Sequence, residues 1–305
     1  MLGLLGTITF DRITSERGTS FNSLGGILYQ AAILSGIGQL TKLYSHLGME
    51  FAEEVFKIIN NWSFLDKTDL KLVPGQGNQV NLFYPRQGER IEILNSVVPA
   101  LDYAKIIKDK QKLKMLMAVF NSGYDLTLKN WHAIVDTLNC PIWLDIHSLV
   151  LERKLGEVRK YTAFPKWIEW AKGVTYLQAN RQEIAAMLGK PNQIPSVEEI
   201  NEIAERALAL GIKIFFITLG QEGVLMISSK SQQKITSPQV KHVIDTTGCG
   251  DVFAAATVAK LMAGDLSHQA AQFGVKLASQ AVSLIGPAAV YNLAKQYRKN
   301  LSHED

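Results

Sequence analysis

Short β-rich apolar runs alternate along this chain with longer segments of helical period, and no other feature constrains the fold as strongly. Such alternation implies parallel strands joined by crossover helices. The candidate strands are Leu2 to Phe10, Leu113 to Phe120, Ile142 to Ile146, Val174 to Gln178 and Ile212 to Thr218, with helical patterns over Leu126 to Leu138, Arg181 to Leu188 and Val197 to Leu210. Ser196, with Glu199 three residues on, reads as a capping box that opens the long helix, and Gly211 stops it. Beyond Gly250 the period is helical throughout, to Met262, then over Gln269 to Leu284 and Ala288 to Tyr297. The expected fold is α/β with a central sheet.

Two polar segments break the rhythm. Ile13 to Leu24 and Gln79 to Leu94 show partial strand alternation, with turn signals at Gly18 and around Pro85 to Gly88. They are expected to form a small β lid, over about 12–24 and 78–95, covering the C-terminal edge of the sheet where open α/β folds bind ligands. With no fixed-period repeat, low-complexity tract or linker, one domain over 1–305 is expected.

Composition narrows the classes. With 47% hydrophobic and 20% charged residues among 305, the chain can bury a large core, which excludes disordered, collagenous and coiled-coil classes. The net charge of +4 comes from scattered cations with no basic run interleaved with aromatics, so no nucleic-acid partner is expected. Cys140 and Cys249 have no neighbour at a metal or redox spacing. The apolar start Met1 to Phe10 lacks a cationic leader and is cut by Asp11 and Arg12, while Lys260 and Lys276 interrupt the alanine-rich C-terminal part. The expectation is a soluble cytoplasmic protein with no membrane partner.

The segment Asp245-Thr246-Thr247-Gly248-Cys249-Gly250-Asp251 runs directly into the apolar helix Val252 to Met262. Glycines at a helix start expose backbone N–H groups, and the helix dipole adds partial positive charge, so the loop suits a phosphate. Asp251, in the first turn, could accept a proton from a hydroxyl attacking a phosphoryl group. An isolated Gly-x-Gly would more simply be a tight turn. The whole string, however, resembles the C-terminal signature Asp-Thr-x-Gly-Ala-Gly-Asp of the ribokinase-like, or PfkB, carbohydrate kinase family at six of seven positions, the departure being Cys249.

That resemblance implies a three-layer α/β sandwich with a mostly parallel central sheet and a small β lid. It also implies a transferase that uses ATP and magnesium, in which Gly248, Cys249 and Gly250 form an anion hole and Asp251 is the catalytic base. Leu177-Gln178-Ala179-Asn180-Arg181-Gln182-Glu183 looks like the family's Asn-x-x-Glu motif, with Glu183 ordering the metal largely through water and Asn180 near the nucleotide phosphates. By itself that pair reads as a capping box. Ile217-Thr218-Leu219-Gly220-Gln221-Glu222-Gly223-Val224 resembles the Thr-x-Gly-x-x-Gly segment, so Thr218, Gly220 and Gly223 are expected beside the nucleotide; alone it would read as a hairpin turn. Gly6 to Asp11 matches the first family strand, whose closing Asp11 binds substrate hydroxyls, and Gly25-Gly26 resembles the paired glycines that approach substrate. The pair could equally be a lid hinge. A potassium ion beside Asp245 to Thr247, and lid strands paired between subunits, occur in the family; neither follows from these residues, and monomer and homodimer stay open.

The chain also departs from the family. Gln30 stands where many sugar kinases carry asparagine, Glu50 where Gly-x-Asp is common, and Val275 where ribokinases place an asparagine near the base. His147, after Asp145, could touch ligand but reads more simply as a structural histidine, and Arg86 and Arg90 in the lid could reach phosphate or be solvated charges. The expected activity is phosphorylation of a hydroxyl on a sugar or related polyol. A nucleoside acceptor, suggested by Gln30 and the apolar Leu28, Tyr29 and Phe83, and a cyclitol such as myo-inositol are the rival acceptors. A silent kinase-like binding or scaffold protein is the rival class, and it predicts erosion at Asp251, the glycines or Glu183, all of which are intact.

Overall fold

The computed structural model describes residues 1–16, 18–85 and 91–298. In chain order the strands are β1 (Leu2–Leu5), β2 (Ile8–Ser15), β3 (Ser20–Gly26), β4 (Thr41–Gly48), β5 (Leu65–Asp66), β6 (Leu70–Val73), β7 (Asn78–Tyr84), β8 (Ile91–Ser96), β9 (Met115–Val119), β10 (Ile142–Asp145), β11 (Tyr176–Asn180), β12 (Ile214–Thr218), β13 (Val224–Ser228) and β14 (Gln232–Ile235). The helices are α1 (Leu28–Ile37), α2 (Ala52–Ile59), α3 (Tyr103–Lys108), α4 (Leu128–Thr137), α5 (Trp167–Ala171), α6 (Arg181–Met187), α7 (Val197–Ala209), α8 (Cys249–Met262), α9 (Ser267–Ala281) and α10 (Gly286–Arg298).

The main sheet has the order β14-β13-β12-β11-β10-β9-β1-β4-β5, with β6 paired to β4. It is parallel except for the hairpin strands β13 and β14. β1 lies between β4 and β9, so the connections leave it in opposite directions and open a crevice at the carboxyl ends of the strands. Alternation on the strands feeds two apolar layers. Met115, Met117 and Val119 face the layer built on α1, α8, α9 and α10, while Leu116 and Ala118 face the layer built on α3 to α7. Each large aliphatic side chain in such a layer contributes about 1.5–3 kcal/mol relative to exposure.

α1 is buried along all of its length, and α8 from Val252 to Ala259. A helix apolar all round belongs inside the protein, and these two carry the anion loop and Gln30 on rigid supports. The capping box of Ser196 and Glu199 starts α7 as the sequence suggested. No helix among the described residues is long and apolar enough to cross a membrane.

The first strand differs from the expectation. Leu2 to Phe10 is not one element: the chain breaks at Gly6-Thr7, where a Cβ on Gly6 would sit 2.4 Å from the Val119 carbonyl oxygen, and re-emerges as β2 of a second sheet. That sheet, ordered β3-β2-β7-β8, is the small β lid. β2 pairs with β7 in parallel and with β3 antiparallel, which unites the two polar excursions. β4 and the short β5 and β6 were not legible as strands. β4 is buried at all eight positions yet carries Lys42, Ser45 and His46, and Lys42 is held there by Asp69 and Asp109 at 2.8 and 2.6 Å.

Candidate active site

At the carboxyl edge of the main sheet lies a cleft of about 400 Å³. Its walls include Asp145 and His147 after β10, Asn180 and Glu183 at the β11–α6 junction, Thr218 at the end of β12, and the loop residues Thr246, Gly248, Cys249, Gly250 and Asp251; Tyr84 and Glu92 close it from the lid.

The loop is built by its own residues. Thr247 N–H donates to the Asp245 carboxylate at 2.8 Å, and Gly248 caps α8 with a φ of 75°. Gly248 is needed twice over, since any side chain there would be strained and its Cβ would lie 2.6 Å from the Tyr29 ring. First-turn N–H groups of a helix have no carbonyl one turn back, which suits the N–H of Gly250 to an anion. The Cys249 thiol is pushed up to about 12 by burial and by Asp245 and Asp251, so it stays protonated and neutral in the loop.

Asp251 meets the other half of the molecule through Gln30, whose Nε2 donates to its Oδ1. The sequence placed Gln30 with the substrate residues; its link to Asp251, 221 residues away, was not visible there. Asp11 and the glycines lie next to each other across the β2–β3 pair: a Cβ on Gly25 would sit 2.1 Å from Asp11 Oδ2, and one on Gly26 2.2 Å from the Thr7 carbonyl oxygen. Asp11, Gly25, Gly26 and Gln30 are not among the described residues lining the cleft, and Asp11 and Gln30 are buried. Gly220 opens and Gly223 caps a 3-10 turn beyond Thr218, and neither is among the described residues lining the cleft. Glu50 is exposed on the turn after β4, and Val275 is buried in the core under α9. Arg86 and Arg90 lie outside the described residues.

Asn180 and Glu183 do form the capping box. Glu183 Oε2 accepts from Asn180 N–H, and Oε1 from Asn180 Nδ2, both at 2.8 Å. The box fixes a buried carboxylate at the cleft wall. Burial, followed by the charges of Glu183 and Asp251, holds the Asp145 carboxyl well above the usual range. Gln178 Nε2 bonds that carboxylate at 3.0 Å and the Gly250 carbonyl at 3.3 Å.

Two further groupings were missed. At the root of the lid, Thr7 Oγ1 donates to Asp125 Oδ1 and accepts from Asn78 Nδ2, both at 2.7 Å, while Asp125 Oδ2 accepts from Ser122 N–H, Ser122 Oγ and Gly123 N–H. The polar turn Asn121 to Asp125 after a buried strand was the signal that could have pointed to it. At the lid's edge, the fully buried Arg159 guanidinium bonds Glu92 at 2.8 Å and the carbonyls of Ser122 and Glu152. Finally, Tyr84 Oη meets Thr247 Oγ1, so a lid strand touches the anion loop.

The cleft joins a glycine loop at a helix start to a carboxylate beneath the small β sheet, and the comparisons indicate a phosphotransferase with a hydroxyl acceptor. The family model of the pfkB family carbohydrate kinases matches residues 159–292. An uncharacterized sugar kinase of Archaeoglobus fulgidus is 24% identical over 218 residues, 70% of this chain and 79% of its own length. A ribokinase of Arabidopsis thaliana is 27% identical over 119 residues, 39% of this chain and only 31% of that protein. Among solved structures, a pyrophosphate-dependent kinase in the ribokinase family, complexed with a pyrophosphate analog and myo-inositol, shares the fold with a TM-score of 0.78 at 14% identity, over 96% of this chain and 99% of the other. These likenesses relate the chain to the ribokinase-like, PfkB carbohydrate kinases, whose family model matches its C-terminal part.

Proposed function

We propose that this protein transfers the γ-phosphoryl group of ATP to a hydroxyl of an uncharged sugar or related polyol. One observation carries the reading: Asp251 stands in the first turn of α8, beside the anion loop, and is tied by Gln30 to the helix that follows the paired glycines. In the proposed reaction Asp11 orients the acceptor's hydroxyls, and Asp251 takes the proton as the oxygen attacks in line. The N–H groups of Gly248 and Gly250 meet charge on the transferring group, while that of Cys249, expected to join them, donates to the Thr246 carbonyl at 3.3 Å, so catalysis is mostly placement and electrostatics.

The residues fit a magnesium ion held chiefly by water and phosphate. Glu183 and Asp145 supply carboxylate oxygens at the cleft wall, yet no cluster of three or more His, Cys, Asp or Glu among the described residues would cage a metal alone. Bound there, the ion would neutralise phosphate charge; Glu183 would hold it through water and Asn180 would lie near the phosphates. A potassium ion beside Asp245 to Thr247 stays a matter for comparing activity in potassium and Tris buffers.

The charge of the cleft supports an uncharged acceptor. Glu92, Glu183 and Asp251 line it with carboxylates, while the guanidinium of Arg159 is engaged by Glu92 and two carbonyls. A cyclitol is the second reading, supported by the solved neighbour that holds myo-inositol. Nucleosides are less favoured, because Leu28 is in the core and Tyr29 is covered by Gly248, so neither offers a wall for a base. An ADP-release assay over sugars, inositols and nucleosides, repeated with pyrophosphate in place of ATP, tests the reading. Turnover with a neutral polyol is expected; clear ATP binding with no turnover on any acceptor would replace it with the scaffold class.

A further inference from the structure

His147 opens a 3-10 turn directly after β10 with a φ of 35°, the one positive φ on a non-glycine residue among those described. Histidine enters the left-handed region more readily than most residues, but any Cβ makes that backbone unfavourable. Conformations of this kind persist only where the surroundings over-determine them, and they gather at active sites.

Here the surroundings do so. The His147 N–H donates to the buried Asp145 carboxylate. On one side Ile146 N–H donates to the Gln178 carbonyl at 3.1 Å; on the other, Ser148 N–H donates to the Phe120 carbonyl at 3.2 Å and Ser148 Oγ to the Asn121 carbonyl at 2.8 Å. Ile146 and Ser148 are buried, whereas His147 is half-buried and lines the cleft. From Asp145 the chain of hydrogen bonds continues through Gln178 Nε2 to the Gly250 carbonyl. The anion loop and the His147 backbone are therefore fixed relative to each other.

The place of β10 in the sheet adds the second argument. It lies between β9, on the side of β1 and the lid, and β11, which carries Asn180 and leads to Glu183. A residue at the end of β10 thus stands at the seam between the acceptor half and the donor half of the cleft.

We propose that His147 is a catalytic residue whose imidazole donates a hydrogen bond to the phosphoryl group in transit, with Asp145 and Gln178 as its positioning residues. The inference rests on the kinase reading given above. In the step, the acceptor oxygen forms its bond to phosphorus as the bridging oxygen of the donor leaves with the bonding pair. The acceptor's proton goes to Asp251, and His147 neither gains nor loses one.

Two variants separate this role from a structural one. His147→Asn keeps a residue that accepts left-handed backbone, and His147→Gly relieves the strain altogether. Both are expected to fold, with His147→Gly melting at or above the wild-type temperature, while kcat falls at least about 30-fold and the KM values move less than about threefold. A structural histidine predicts the reverse, a glycine variant as active as wild type. An acceptor-independent readout is the imidazole ¹⁵N resonance of His147, assigned by its loss in His147→Asn, on adding MgADP with aluminium fluoride. A shift beyond that caused by MgADP alone supports the contact, even if no acceptor tested is turned over and the substrate reading fails. An unmoved resonance, or kcat within threefold of wild type in His147→Gly, overturns it.

Discussion

The two halves of the cleft are made in opposite ways. The floor, from Asp245 to Asp251, is a single stretch in which a local turn, a glycine cap and a buried helix set the geometry. The lid side is assembled from segments far apart: Thr7, Asn78 and Asp125 at its root, and Glu92 with Arg159 at its edge. A contiguous device needs only helix-start chemistry, whereas a dispersed one depends on buried polar groups that must all find partners. The floor should fail by losing chemistry, and the lid by losing stability.

The largest effect is expected at the floor. Asp251→Asn should lower kcat by about 10³-fold or more, with ATP affinity by calorimetry within a few fold and the melting temperature nearly unchanged. A variant that unfolds instead would erase the contrast. Next comes the root of the lid, where Asp125→Ala leaves Thr7 Oγ1, Ser122 N–H, Ser122 Oγ and Gly123 N–H without their acceptor. A loss of about 3–5 kcal/mol in urea unfolding is expected. Arg159→Met should cost about 3 kcal/mol by the same measurement, since it removes the buried guanidinium that Glu92 and the Ser122 and Glu152 carbonyls bond. Arg159→Lys should recover little of it, because an ammonium cannot reach three acceptors from one fork.

Gln30→Leu crosses the divide and so sharpens it. It removes the donor to Asp251 while keeping an apolar stem within α1, and a fall in kcat of about tenfold with little change in unfolding is the expected result. The smallest effect belongs to Tyr84→Phe, which deletes the contact between lid and loop. A rise of about two- to fivefold in acceptor KM and a stability change under about 1 kcal/mol are expected. A larger loss of kcat would show that the lid contact shapes the anion loop.

Legibility followed the same division. The helices α6, α7 and α8 and the strands β9 to β12 were readable because period and capping are local properties. The break at Gly6-Thr7 was not, because an apolar run gives no sign that its second half pairs with another sheet. β4 was hidden by Lys42 and His46, polar residues that a strand buries only when partners such as Asp109 arrive from elsewhere.

By itself the sequence determined the class of fold, the glycine loop and the carboxylate at the start of α8, and the paired glycines, all of which depend on neighbours a few residues away. Only the tertiary structure decided that Gln30 grips Asp251, that Asp145 and Gln178 link His147 to Gly250, and that Arg159 is spent on Glu92. Those contacts join residues brought together by sheet order, and a hydrogen bond depends on distance in space, which separation along the chain does not reveal.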